Sequence, residues 1–440
     1  MKRNYIFLLL SEIVCFWVLF LCFPYTIQMQ EGEDLFLLTR EFLGGVISRP
    51  QGITFLISDF LEQFFATAWA GALIYSLVIT LSQWLLFLTL RNLGKTSFGW
   101  LAFFPALLVV PYSFPFVDMS VNFLFFSLLL YVFTAIKSRI WRTVYTLLLP
   151  IPAFCLMPWY EAVMLLVVFV ILEYVYHKSK ITSAVILVPL AFSFFVPRLW
   201  SVFVDFVPFN KRPLTGIDEF FTWKVFVGYV ITCAAVLMPL KKKTAGWISC
   251  TASALCIAAF AAIMLTDKDL LFGERTNKLS LLADQKDWEG IIAEVPYDEA
   301  VKSKILTDYV LLAMSATDNL PQVLFSYPLS SPEDFLYRHD KRTFYTNFNR
   351  QFYDNIGIWD EAFHQAFEYG VTQRENECFR SLRFKIDYAL NSCDLGVARS
   401  YLELLQKSVC NGDFVKGRMH RLVALEAKSN RIKLPPYRSD

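Results

Sequence analysis

Up to about Leu265 the chain is a succession of long apolar runs with short polar connections; beyond it, apolar residues recur every three or four positions among charges. A bilayer core takes a helix of about 20 mostly apolar residues. Runs at 5–24, 69–90, 98–115, 120–136, 141–157, 160–176, 182–200, 223–240 and 246–265 approach that length. The pattern predicts an all-α chain, with a polytopic membrane domain of about nine spans over 1–265 and a soluble helical domain over 266–440. The first run follows Lys2 and Arg3 and lacks a small-residue cleavage site, so it reads as an uncleaved anchor.

Cations in the short connections orient the spans. Lys2 and Arg3 precede the first, Arg91 and Lys95 follow the second, and Lys137, Arg139 and Arg142 follow the fourth. Lys178 and Lys180 follow the sixth, and Lys241, Lys242 and Lys243 the eighth. Every second connection is basic and defines a cytoplasmic face. The N-terminus is then cytoplasmic, and loop 25–68 and the C-terminal domain are extracytoplasmic.

Loop 25–68 opens "YTIQMQEGEDLFLL" and continues into "ITFLISDFLEQFFATAW". Ile53, Phe55, Leu56, Phe60, Leu61, Phe64 and Phe65 recur at helical spacing, while Ser58, Asp59, Glu62 and Gln63 fill the other side. Such a helix beside a membrane should lie along the interface, apolar face to lipid and polar face to water. Gly44, Gly45, Pro50 and Gly52 divide the loop into two helical pieces.

Composition fits this picture: of 440 residues, 56% are hydrophobic and only 18% charged, against about 45–50% and about 25% in soluble domains. The net charge of +2 comes from basic residues spread between apolar runs, which argues against a nucleic-acid partner. Nine cysteines include no CxxC pair, and Cys378, Cys393 and Cys410 in the soluble part are an odd number that cannot all pair internally. Four histidines in the whole chain argue against a histidine metal site.

The acids Glu31, Glu33 and Asp34, reading E-G-E-D just after the first span, give the N-terminal 70 residues a layout that resembles the polytopic GT-C glycosyltransferases. That resemblance implies transfer from a polyprenyl-phosphate sugar in the outer leaflet. One of these carboxylates would be the catalytic base, and Glu33 and Asp34 would hold a divalent metal, Mg or Mn, if one is bound. Glycosyl transfer needs a base for the acceptor hydroxyl and cationic groups for the departing phosphate. Asp118 in "PYSFPFVDMSVNF" and Glu161 in "MPWYEAVML" are further outer-face candidates, with Arg49, Arg198, Lys211 and Arg212 as phosphate contacts. Each has a plainer reading: solvated loop acids or a helix-end cluster, a membrane-belt position for Glu161 beside Trp159 and Tyr160, and scattered loop cations.

The C-terminal part carries small residues where helices would cross and Tyr and Gly near turns, as at Tyr353, Gly357 and Ala362, with Trp288 and Ala398 fitting more loosely. This resembles degenerate tetratricopeptide repeats and implies an α-solenoid of three or four helix pairs that binds a protein partner over 280–420. Across most of its length, through "QKDWEGII", "NLPQVLFSY" and "YDNIGIWDEAFHQAFEYG", the chain resembles a bacterial family of unknown function that joins a multi-span region to a helical-repeat domain. Two functions are carried forward: a transferase acting on lipid-linked sugars, and a non-enzymatic membrane scaffold that recruits envelope partners. A transporter would need polar residues deep in several spans, which are few apart from Glu12.

Overall fold

The computed structural model describes residues 2–105, 109, 111, 114–196, 219–238, 246–328, 337 and 343–431. All regular structure among them is helical. The chain forms two compact units. The first comprises Met1–Ile27 and Arg40–Leu271, and the second comprises Gln28–Thr39 and Phe272–Asp440. The division near Leu271 lies close to the change in hydrophobic pattern. The inclusion of Gln28–Thr39 in the second unit departs from expectation, since sequence pattern had placed this stretch in a loop of the membrane region.

In the first unit, four helices among the described residues are long and apolar enough to cross a membrane: Tyr5–Cys22, Ala68–Asn92, Val117–Ala135 and Gly246–Thr266. That is fewer than nine, and several of the other apolar runs are cut short. The run from 98 opens with a 3-10 stretch at Thr96–Ala102. Pro150 begins a separate short helix directly after Arg139–Leu148, and Pro158 precedes the 17-residue helix Trp159–Val175. The Lys180–Ser193 helix has 14 residues and contains Pro189. Proline removes a backbone donor and clashes with the preceding turn, so it divides or bends an apolar run that composition alone would leave whole.

The first unit turns polar side chains inward. Along Ala68–Asn92, Trp69, Leu73, Leu77, Leu81 and Trp84 are exposed, while Ser76, Ser82 and Gln83 are buried. Gln83 accepts a hydrogen bond from Ser11 (2.9 Å) and Glu12 accepts one from Ser76 (2.8 Å). The expected loop helices are present as Arg40–Ile47 and Gly52–Glu62, and the second turns its polar side chains inward. Ser58, Asp59, Glu62 and Gln63 are buried, and Phe60 and Phe64 are exposed. The polar face packs inward, toward the Val117–Ala135 and Pro150–Leu156 helices. A protein surrounded by hydrocarbon gains nothing by hiding its apolar side chains and must satisfy its polar groups internally.

Two cations used to orient the connections are also buried. Arg142 pairs with Glu173 and donates to the carbonyls of Ile136 (3.0 Å) and Lys137 (2.9 Å), just past the end of the Val117–Ala135 helix. Lys95 donates to the carbonyls of Ala235 (3.3 Å) and Val236 and stands over the Tyr176 ring. Cations on C-terminal carbonyls complement the negative end of the helix dipole.

The second unit is a run of helices in which neighbours in sequence pack on one another. Thr343–Asn355 lies against Trp359–Thr372, that against Phe379–Asn391, then Leu395–Leu405 and Gly412–Arg431. Ala362, Ala366, Ala398 and Leu402 are fully buried, whereas Phe367 faces out. Gly357 turns the chain between two helices at φ 77°, a backbone conformation that costs glycine little. The stretch "NKLSLLADQKDWEGIIAEV", a single helix by its spacing, is divided at Lys286 (φ 59°). Asp287 then caps the next helix by accepting from the Gly290 amide (3.0 Å). Leu279, Ile291, Tyr309 and Phe348 form the core of this end.

Candidate functional site

The early acids sit at the end of a short helix. Pro24–Glu33 is helical and Asp34 begins a non-helical stretch reaching Thr39. Glu31 and Glu33 therefore occupy a helix C-terminus, where unsatisfied carbonyls make negative charge unfavourable. The second unit supplies the compensation. Arg383 donates to both oxygens of Glu31, one contact at 2.8 Å. Arg374 donates to Asp34 Oδ1 at 2.8 Å and Tyr369 donates to Glu33 Oε1 at 3.3 Å. Backbone bonds fix the stretch as well: the Phe379 amide donates to the Asp34 carbonyl (3.3 Å), and the Leu38 amide donates to the Lys407 carbonyl (2.9 Å). Gly32 permits the approach, since a Cβ there would stand 3.1 Å from Arg380 Cβ.

Burial pushes the Glu33 carboxyl up to about 7; the Arg380 charge opposes this, Asp34 adds to it, and the Tyr369 hydrogen bond opposes it. Asp284 goes the other way. Burial alone would raise it, but Arg350 and Arg380 hold it well below the usual carboxylate range. One of its oxygens accepts from Arg350 and from Gln351 (2.7 Å), and the other accepts twice from Arg380. Ser280 Oγ accepts from Asn347 (2.9 Å) and Arg380 (3.1 Å), and Tyr309 donates to Gln351 (3.1 Å).

Beside this network lies a cavity of about 430 Å³, bordered by Gln28, Met29, Glu31 and Gly32 on one side. Six cationic side chains line it: Lys286, Arg350, Arg380, Arg383, Arg418 and Arg421. Four carboxylates oppose them: Glu31, Asp284, Asp354 and Asp387. Trp288, Trp359 and Tyr388 add ring faces. Arg418 is paired with Asp387 through both of its oxygens, and Lys286 reaches Asp354 at 3.5 Å. Arg421 donates to the neutral Asn391 (2.7 Å).

Glu31, Glu33 and Asp34 are thus gathered within the second unit. Asp118 and Glu161 belong to the first, in the opening turns of Val117–Ala135 and Trp159–Val175. There Asp118 accepts from the Met119 amide (2.9 Å). Both acids lie within electrostatic reach of Tyr229. Carboxylates in first turns favour the helix dipole. Arg49 occupies the turn between the two loop helices, where the Gly52 amide donates to its carbonyl (3.0 Å). Arg198, Lys211 and Arg212 lie outside the described residues. Within this unit Arg374 engages Asp34, and Arg380 acts electrostatically on Glu33, so each of these carboxylates has a cationic neighbour.

The arginines escaped the sequence reading although a signal for them exists. In "FRSLRFKIDYALN", Arg380, Arg383 and Asp387 repeat at helical spacing beside the apolar stripe of Phe379, Leu382, Ile386 and Leu390. This polar stripe faces the acids and the cavity rather than open water. Cys378 is buried and caps the helix by accepting from the Ser381 amide (3.4 Å), while Cys393 and Cys410 are exposed and free.

Fold and site together define an all-α protein with, among the described residues, four membrane-length apolar helices and a helical unit that holds an acidic stretch of its own chain on arginines. The chain belongs to a family of unknown function, DUF6057, whose profile matches residues 2–439. No curated protein and no solved structure matches it.

Proposed function

We propose that the protein is a multi-pass inner-membrane scaffold, non-enzymatic, whose second unit is a tetratricopeptide-like α-solenoid that binds a partner of the cell envelope. The observation that carries this reading is the engagement of Glu31 by Arg383 and of Asp34 by Arg374. Both acids serve as counterions within a helical stack, a role that needs no substrate. Sequential packing of the helices from Thr343 to Arg431, with Ala362, Ala366 and Ala398 at the crossings, supports the solenoid.

Connectivity supports the sidedness. Gln28–Thr39 follows the first crossing and belongs to the same unit as Phe272–Asp440. With Lys2 and Arg3 cytoplasmic, that unit is extracytoplasmic, and the chain crosses an odd number of times before residue 272. The four long helices are an even number, so an odd number of the shorter apolar helices also crosses.

A second reading is favoured by one group. Glu33 hydrogen-bonds to a phenol and has its carboxyl pushed up to about 7, a value that suits a general base. A transferase acting on polyprenyl-phosphate sugars would use it to deprotonate an acceptor hydroxyl. Photo-crosslinking from the exposed Trp359 or Val397 separates the two. A scaffold gives one dominant protein partner that survives Glu33→Gln, whereas a transferase loses its glycan product with that substitution at unchanged membrane abundance.

A further inference from the structure

The second unit already displays a recognition chemistry: it holds an acidic peptide stretch by guanidinium–carboxylate pairs and backbone hydrogen bonds. Arg383 engages Glu31, Arg374 engages Asp34, and the Phe379 and Leu38 amides bond along the stretch. The cavity next to that stretch continues the same chemistry with a surplus of cations over the chain's own acids. Its six cations outnumber its four carboxylates. Asp284 is shared between Arg350 and Arg380, so one carboxylate meets two guanidinium charges, with Glu33 a further acid acting on Arg380. Arg421, exposed at the surface, meets only the neutral Asn391 among its described hydrogen bonds. One Arg380 nitrogen is turned to the sulfur of Met29, a weak acceptor.

We infer that this cavity binds an acidic peptide segment of a partner protein, its carboxylates on Arg350, Arg380 and Arg421 and its apolar parts on Trp288 and Trp359. Three observations support a peptide over a lone ion. The volume of about 430 Å³ far exceeds that of a single anion. The aromatic faces have no use for a bare anion. The wall formed by Gln28, Met29 and Gly32 puts peptide already held by this unit along one side of the cavity. Arg418 and Lys286, neutralised by Asp387 and Asp354, frame the site and give it long-range positive potential only weakly. Specific contact with Arg421 and the Asp284 pair therefore carries the recognition. The inference rests on the scaffold reading and names the chemistry of its partner.

The test uses the full chain in detergent with a fluorescent hexaglutamate peptide, and hexalysine, inorganic phosphate and succinate alongside. Hexaglutamate should bind and hexalysine should not. Phosphate and succinate should compete only at concentrations at least about a hundredfold higher, since each reaches one cationic group at a time. The double substitution Lys286→Glu and Arg421→Glu changes two exposed side chains and should weaken binding at least about tenfold. Arg399→Glu, outside the cavity, should leave it unchanged. If the double variant unfolds, salt replaces it: binding by the native chain should weaken steeply between about 50 and about 500 mM. Absent binding, equal competition by phosphate, or indifference to both charge reversal and salt overturns the inference. A dominant crosslinked partner insensitive to the double substitution would refute this site yet leave the scaffold standing. No dominant partner, with hexaglutamate still bound, would refute the scaffold instead.

Discussion

Arg383 grips both carboxylate oxygens of Glu31, closing a link between residues 352 positions apart in the chain. The pair places the first acid after the opening apolar helix in the keeping of the C-terminal helices. A two-point guanidinium–carboxylate contact is directional as well as attractive, so it fixes the end of the Pro24–Glu33 helix in angle and depth.

The Asp284 network gives a prediction about acid stability. Its carboxyl is depressed in the folded chain, so its contribution is present above the ordinary aspartate range and is lost as pH falls through and below it. Asp284→Asn leaves Arg350 and Arg380 side by side without their shared counterion. The variant should lose about 3 kcal/mol of unfolding free energy, read by denaturant titration of the second unit's tryptophan fluorescence.

Glu33 has the opposite sign. Its carboxyl is raised to about 7, so the folded chain binds the proton more tightly than the unfolded chain. That contribution is full below the ordinary glutamate range and disappears as pH rises through about 7. The unfolding free energy should therefore fall between about pH 5.5 and about pH 8, by an amount on the order of 1 kcal/mol, read by denaturant titration at each pH. Glu33→Gln should flatten this dependence and stabilise the chain at the upper pH.

In the first unit, Glu173 is fully buried against Arg142. Removing one partner of such a pair strands the other charge, so Glu173→Gln should cost about 3 kcal/mol. Glu173→Gln combined with Arg142→Met should cost less than Glu173→Gln alone, measured as residual fold in graded detergent denaturation.

Much of the architecture was written in the hydrophobic pattern: the all-helical class and the two loop helices around Pro50. Span count was not, because apolar runs look alike whether whole or divided, and Pro150, Pro158 and Pro189 decide which. The inward turn of Asp59 and Glu62 was hidden for a related reason. Spacing reveals that a helix has two faces but not which solvent each one meets. The acids themselves were visible as E-G-E-D. Their partners were separated from them by about 340 residues or more, and no local rule joins positions so far apart.

Sidedness makes a further prediction. A reporter active only outside the cytosol, fused after Gln285, should be active, and one fused in the Lys137–Ser138 connection should be silent. Silence of the first at normal abundance would put the second unit on the N-terminal side and contradict an odd number of crossings.

The role of the early acids is tested most directly by exchanging the charges of one pair. Glu31→Arg alone and Arg383→Glu alone should each lower the unfolding free energy by about 2–4 kcal/mol, and the two together should recover more than half of the loss. If either single variant melts like the native chain, or the exchange is no better than the worse single, Glu31 and Arg383 do not hold this stretch in the helical unit, and the acids must be explained by something else.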